Sequence, residues 1–462
     1  MYERLKTILL SLLVVFSIAQ FGLLVIRGLD PVRQIRYNEV AQQEKENHGS
    51  ELLKILAAPP RMIAHVPEAP SLISSLEVKH ILLRSSSRYY SNILNRVFDV
   101  LTSAPILTDQ QLYEVDSSVW NPDVYALELI LQQPLPIDVY FELLDVSYIG
   151  VNIPLIDRFY ISATEEDTVY FSDSEGHVYQ GPWKARSIIF YEALKACESV
   201  SALAIRPYDF NQHQVQTTRA IYFSSTPNNI APWTTSYVVD ANSFHEIAPQ
   251  AFVDQASLRV SVYESVPFYE DLSQRLRLVG NQLVLERWPW HIGRTDQLAQ
   301  PLWTETVTFL SSLGLWSRED HIIDGVQNQT GQMTIFFLQV YDGKPLFHVD
   351  GDTQLAQSGL RATSNRGSLT ALTFKPLLIR NALQTSSAKS QEQALTAFLT
   401  LCQQEGIELE SLVLRDIYEG FLCMPGRNAE EVWVIELMDG SRYLFNMITN
   451  EYEAQMPRIA IR

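Results

Sequence analysis

The sequence predicts an α+β protein: a single N-terminal transmembrane helix followed by a three-domain ectodomain rich in antiparallel sheet. Three observations predict it. Thr7 to Ile26 carries no charged side chain and reads ILLSLLVVFSIAQFGLLVI from Ile8 onward. Period-2 apolar patterns, folded at Asp-Gly and Gly-Asn turns, recur through the rest of the chain. Helical periodicity is confined to a few segments between them. The chain has 462 residues, 46% of them hydrophobic and 19% charged, a balance that supports folded domains. Its net charge of −18 disfavours phosphate backbones, so nucleic acid is not an expected partner.

At 1.5 Å per residue the apolar run is long enough for a bilayer core of roughly 30 Å. The expected layout is a cytoplasmic tail at 1–6, a transmembrane helix at 7–27 and a polar stalk at 28–58. A cleaved signal peptide is the other reading, because Ser17-Ile18-Ala19 offers small residues at the spacing a peptidase needs. Phe21, Leu23, Leu24, Val25 and Ile26 continue the run past that cut and favour retention. Arg4 and Lys6 precede the span, and Arg27, Arg33 and Arg36 follow it, so charge does not fix orientation. A large domain after a first apolar segment is commonly exported, which places the bulk of the chain outside the cytoplasm as a single-pass membrane protein. Within the span, Ser11, Val15, Ala19 and Gly22 fall near one helical face, and Gln20 is polar. Small residues admit a second helix and Gln20 offers a hydrogen bond, although the same residues also face lipid harmlessly.

An N-terminal α+β domain is expected at 59–215. It opens with a strand at RMIAHV (61–66) and a helix over 86–103, where Tyr89, Ile93, Val97, Phe98 and Leu101 recur at helical spacing. VYALELIL (124–131) alternates as a strand should. A hairpin follows, turned at Asp173-Ser174-Glu175-Gly176, and a helix over 187–199 ends the domain. A small β-rich domain is expected at 216–290, with few helix signals and a hairpin turned at Gly280-Asn281. A C-terminal α+β domain is expected at 295–462. Its helices span 301–314, stopped by Gly314, and 390–406, capped by Ser390 and stopped by Gly406. Its hairpins turn at Asp342-Gly343, suited to type I′, and at Asp439-Gly440, with one buried face.

Catalytic and metal signatures are few. The nine histidines are scattered without a zinc pattern such as HExxH, and no P-loop, GxGxxG or GxSxG occurs. Ser386-Ser387-Ala388-Lys389 fits SxxK, but no KTG accompanies it, and its serines read as loop and capping residues. Asp350-Gly351-Asp352 reads as a turn rather than a calcium loop. Cys197, Cys402 and Cys423 are odd in number and far apart, so they read as small buried hydrophobes; a Cys402–Cys423 bridge is the alternative. No catalytic, metal-binding or cofactor-binding residue is assigned, and no cofactor or small-molecule substrate is expected.

Four segments resemble the YycH family of membrane-anchored regulators, which act on an essential cell-wall two-component system of Gram-positive bacteria and are related to YycI. They are MYERLKTILLSLLVVFSIAQ at the start, then ALELILQQPLPIDVYFELL (126–144) with LIDRFYIS (155–162) and TVYFSDSEGHVYQG (168–181), then MTIFFLQVYDGKPLF (333–347), and last LRDIYEGFLCMPGRNAEEVWVIELMDGSRYLFNMITNEYE (414–453). The resemblance implies a three-domain ectodomain on one helix and a non-enzymatic role. It implies partners too: a YycI-like protein and a sensor histidine kinase whose activity the complex sets. Ser11, Ala19, Gln20 and Gly22 are then the expected partner-contact face. The other functional readings are an extracytoplasmic glycan-binding or glycan-processing protein and an envelope scaffold.

Overall fold

Two large, mainly antiparallel sheets with helices on their faces make up the fold, an α+β architecture. The computed structural model describes Leu56 and, with breaks, residues 58–457. The transmembrane and stalk segments expected at 7–58 lie almost wholly outside the described residues, among which no helix is long and apolar enough to cross a membrane. Residues from Leu53 to Arg462 form one compact unit.

The first sheet is built from β1 (Arg61–Pro67), β2 (Val78–Leu83), β3 (Tyr113–Val115), β4 (Ala126–Pro136), β5 (Leu155–Ser162), β6 (Thr168–Ser172), β7 (Val178–Pro182), β8 (Ala204–Pro207) and β9 (Tyr222–Ser224). Its order is β9-β8-β2-β1-β4-β5-β6-β7-β3. Helices α1 (Tyr90–Thr102), α2 (Ile137–Leu143) and α3 (Ser187–Lys195) belong to this half of the chain. Helix α1 buries Ile93, Val97, Phe98 and Leu101, as their spacing predicts. It begins at Tyr90 rather than Ser86, because Ser87 closes a turn onto the Arg84 carbonyl first. Strand β4 falls on the alternating segment read as a strand, and Ala126 to Leu135 are all buried. Its alternation is real, but the second sheet covers the face that a lone antiparallel sheet leaves to water.

The main path of the second sheet takes, after the short helix α4 (Ala241–Ile247), β10 (Arg259–Tyr263), β11 (Val266–Glu270), β12 (Gln274–Val279) and β13 (Gln282–Arg287). Helix α5 (Leu302–Ser312) then leads to β14 (His321–Gln329), β15 (Gln332–Tyr341), β16 (Lys344–Val349), β17 (Leu360–Asn365) and β18 (Ser368–Phe374). Helix α6 (Gln391–Gln404) precedes β19 (Val413–Cys423), β20 (Glu430–Leu437), β21 (Arg442–Asn446) and β22 (Tyr452–Met456). The main path runs β10-β11-β12-β13-β18-β17-β15-β16-β19-β20-β21-β22, with β14 beside β15. Strands over 259–287 thus continue the sheet that the C-terminal strands complete. The pair β16–β19 is parallel, since the chain returns through β17, β18 and α6 before pairing again.

The four hairpin turns fall where the sequence puts them. Asp342 and Gly343 both have positive φ (53° and 72°), as type I′ requires. Ser390 caps α6 in a reciprocal box with Gln393. Helix α4 is a correction to the nearly helix-free reading of 216–290: Asp240 and Ser243 form another capping box. It buries Phe244 alone, too little for any apolar period to reveal it. The hairpin β20–β21 was expected to bury one face and buries both. Trp433, Ile435, Tyr443 and Phe445 pack with the α6 residues Leu395 and Phe398. On the opposite side Val432, Val434 and Leu444 pack with Leu338, Phe347 and Tyr418. Cys197, Cys402 and Cys423 are free and buried, without a Cys402–Cys423 bridge.

Candidate functional site

The two sheets meet across a seam of buried charge. Side chains alternate on a strand, so β1 sends Met62, Ala64 and Val66 to one side and Arg61, Ile63 and His65 to the other. Pairing carries the second row onward: Ile63 lies opposite Leu82 and Glu128, and His65 opposite His80. Glu128 in turn lies opposite Tyr160, and Ile130 opposite Arg158.

At the centre of the seam sits Arg415, about 1% exposed. Its guanidinium donates to Asp157 on β5 through Nε at 2.8 Å and also through Nη2. Its Nη1 reaches Glu436 and the Gln132 carbonyl, both at 2.9 Å, and Nη2 reaches the Leu131 carbonyl at 2.8 Å. One side chain of the second sheet therefore ties β4, β5 and β20 together. Arg158 answers from the first sheet, donating to Glu128 at 2.8 Å and to the Arg415 carbonyl at 2.9 Å. Arg442 donates to Asp324 at 2.6 Å. Gln132 donates to the Tyr418 hydroxyl at 2.8 Å, and Gln133 to Glu436.

A second cluster lies toward the start of β1. Arg61 pairs with Asp416 at 2.5 Å and lies over the Tyr418 ring, 3.9 Å from its centroid. Arg84 reaches Glu419 at 2.6 Å, and Lys344 bridges Glu419 at 2.8 Å and Glu431 at 2.5 Å. The Trp233 indole donates to Glu431 at 2.7 Å. Burial pushes the Glu419 carboxyl up, but the charges of Arg84 and Lys344 outweigh it and hold the group at about 2. Glu128 behaves alike: burial opposes ionisation, yet the nearby His65 imidazole, 3.6 Å away, and the Arg158 charge hold it at about 2. His65 and His80 share a hydrogen bond, Nδ1 to Nδ1 at 2.8 Å. Burial, and then the neighbouring His65, push His80 down to about 4, so its imidazole is neutral at ordinary pH.

Between the sheets lies a cavity of about 50 Å³. Arg61, Arg84 and Lys344 line it, together with Ile63, Leu82 and Tyr222. Each seam carboxylate named above has a cation within ion-pair distance, and three of the pairs, Arg61–Asp416, Arg84–Glu419 and Arg415–Asp157, cross from one half of the chain to the other. Buried pairs add little net stability, because desolvation offsets the attraction, but they penalise every misaligned docking of the two sheets.

The expected partner face at Ser11, Ala19, Gln20 and Gly22 lies outside the described residues, as does Asp350-Gly351-Asp352. Ser386 and Ser387 are exposed and form a short strand with Asn229–Ile230 rather than a loop, because the backbone of that segment finds a pairing partner. Among the described residues no group of three His, Cys, Asp or Glu side chains is placed to hold a metal ion. Sequence reasoning missed the seam altogether. The readable signal was charge inside otherwise apolar strands: Glu128 in ALELIL, Arg158 in LIDRFYIS, Arg415-Asp416 in VLRDIY and Glu436 in VWVIEL. A charge in a buried strand must find a partner.

No family model and no curated protein matches the chain. Among solved structures it is similar to the crystal structure of YycH from Bacillus subtilis, at 12% identity and a TM-score of 0.55, over 88% of this chain and 98% of that one. An uncharacterized protein from Eubacterium rectale gives a TM-score of 0.33 at 10% identity, over 50% of this chain and 82% of that one. The C-terminal domain of YpeB from Bacillus megaterium gives 0.27 at 10% identity, over 48% of this chain and 98% of that one. The fold of this chain is YycH-like.

Proposed function

We propose that this chain is a membrane-anchored, extracytoplasmic regulatory protein of the bacterial envelope. It binds a YycI-like protein and a sensor histidine kinase, and it sets the activity of a kinase that controls cell-wall metabolism. The observation that carries the reading is the YycH-like fold, which extends over 88% of the chain. The seam supports a non-enzymatic role, since its carboxylates are engaged by cations and hold two sheets in register. The apolar run at Thr7–Ile26 supplies the anchor, and its face of Ser11, Ala19, Gln20 and Gly22 the helix contact. On this reading the signal passes by contact, through the helix or the ectodomain, by favouring one kinase state.

Crosslinking of the full chain in membranes of its own host, followed by purification and identification of the partners, tests this. Recovery of a sensor kinase together with a YycI-like protein is the expected result. Recovery of neither, with the chain intact and membrane-bound, overturns it.

A further inference from the structure

The second sheet has an open edge at β10. The main path ends there, and among the described residues β10 pairs with β11 alone. Alternate residues of an edge strand turn their N–H and C=O groups outward, a template for another strand. The apolar face of the sheet also overruns its cover at this edge. Register places Leu285, Leu276, Tyr269 and Val260 in one row across four strands. Leu285 and Leu276 are fully buried. Tyr269 packs on Phe244 of α4, and its hydroxyl lies 2.8 Å from His245 Nδ1. Exposure then jumps to 56% at Val260, and Val262, two residues on and so on the same face, reaches 69%. The cover that α4 gives this row therefore ends at β11. The opposite face carries charge. Glu270 stands across from Arg259 in the ladder, but Arg275 already holds that carboxylate through Nε at 3.0 Å and Nη2 at 2.8 Å. Arg277 holds Glu286 at 2.9 Å. Arg259 is exposed and has no counter-ion, so the edge is locally cationic on a chain of net charge −18.

We propose that β10 is a docking edge for an extended acidic segment of another protein, which joins the sheet as a further antiparallel strand. Its apolar residues cover Val260 and Val262 on one face, and an acidic side chain meets Arg259 on the other. Strand addition of this kind draws affinity from the backbone ladder and selectivity from alternate side chains. A second copy of this chain fits the edge less well. Twin β10 strands paired about Ser261 set Arg259 opposite Tyr263, with no acid to meet it. Five residues a side are also few against the roughly 20–30 of a stable interface. The inference does not depend on the kinase reading, because its readout is peptide binding alone.

The test is the fluorescence anisotropy of a labelled peptide of about seven residues, alternating valine and glutamate, titrated with the detergent-solubilised full chain. Saturable binding is expected. Two control peptides should not bind: one with lysine for every glutamate, and one with the same residues grouped into a valine block and a glutamate block. Arg259→Glu should weaken the glutamate peptide by about fivefold, the upper worth of a cross-strand charge pair, and should let the lysine peptide bind. Val260→Thr with Val262→Thr keeps the charge and the strand propensity, and should weaken binding by about tenfold. All three positions are exposed, so the thermal unfolding of both variants should match that of the parent chain. Absence of saturable binding by the glutamate peptide overturns the proposal. So does equal binding of either control peptide, or undiminished binding by the folded threonine variant. A dimer of the full chain that the threonine variant dissolves assigns the edge to a second copy and overturns it too.

Discussion

Arg415→Met is the substitution that the seam argument predicts most sharply. It keeps a long side chain in place but removes all the donors of a group that is about 1% exposed. Asp157 (2% exposed) and Glu436 (0% exposed) lose the cation between them, and the Leu131 and Gln132 carbonyls lose donors. Removing one member of a buried ion pair costs about 3–5 kcal/mol, because the remaining charge is stranded. Two neighbours soften the loss: Arg158 Nε lies 3.5 Å from Asp157, and Arg442 Nε lies 3.5 Å from Glu436. The expected cost is therefore near the lower end, about 3 kcal/mol, a large share of the roughly 5–15 kcal/mol that keeps a domain folded. Urea unfolding followed by tryptophan fluorescence measures it. Adding Glu436→Leu to Arg415→Met removes one stranded charge and should return part of the loss. A cost below about 1 kcal/mol for Arg415→Met, or no recovery in the double variant, refutes the view that this guanidinium locks the sheets together.

Other predictions address the same seam. His80 is held down at about 4 in the folded chain against an ordinary 6.5, so the unfolded chain binds the extra proton first; stability is full above pH 6.5 and falls as pH drops toward 4. His80→Gln should flatten that slope in unfolding measured across the interval. Glu419, held at about 2 against an ordinary 4.5, contributes stability present above pH 4.5 and lost as pH falls toward 2; Glu419→Gln should remove this acid step. Gly420→Ala places a methyl 3.0 Å from Val434 Cγ2 and 3.1 Å from Phe347 Cε2 between paired strands, and should cost about 1–3 kcal/mol by overpacking in the same unfolding assay. Gly343→Ala combines a positive φ of 72° with a contact 2.9 Å from Arg84 Cβ, so it should both strain the β15–β16 turn and disturb the Arg84–Glu419 pair, lowering the thermal midpoint.

What the sequence made legible was local. The β15–β16 turn, the Ser390 cap and the Gly406 stop, the periodicity of α1 and the hairpin at Gly280 all follow from residues within a few positions of one another. Strands β4, β20 and β21 show where local reading ends. Their alternation marks two faces but not what covers the second, and here partners some 280 residues away do so, as when Arg415 meets the Leu131 and Gln132 carbonyls. The parallel β16–β19 pair is hidden for the same reason, since Leu346 and Phe421 meet only through the intervening chain. The seam could have been suspected from Glu128, Arg158, Arg415 and Glu436, each an ionic residue within an apolar strand. Pairing each with its counter-ion needed the fold.

The most direct test of the central proposal is partner capture by the full chain in its own membrane. Site-specific crosslinking from the Thr7–Ile26 span and from the ectodomain should recover a sensor histidine kinase and a YycI-like protein. Gln20→Leu with Gly22→Leu should weaken that recovery while leaving the urea unfolding of the ectodomain unchanged. Recovery of neither partner from wild-type membranes contradicts the proposal, and undiminished recovery by the double variant removes the span from the contact.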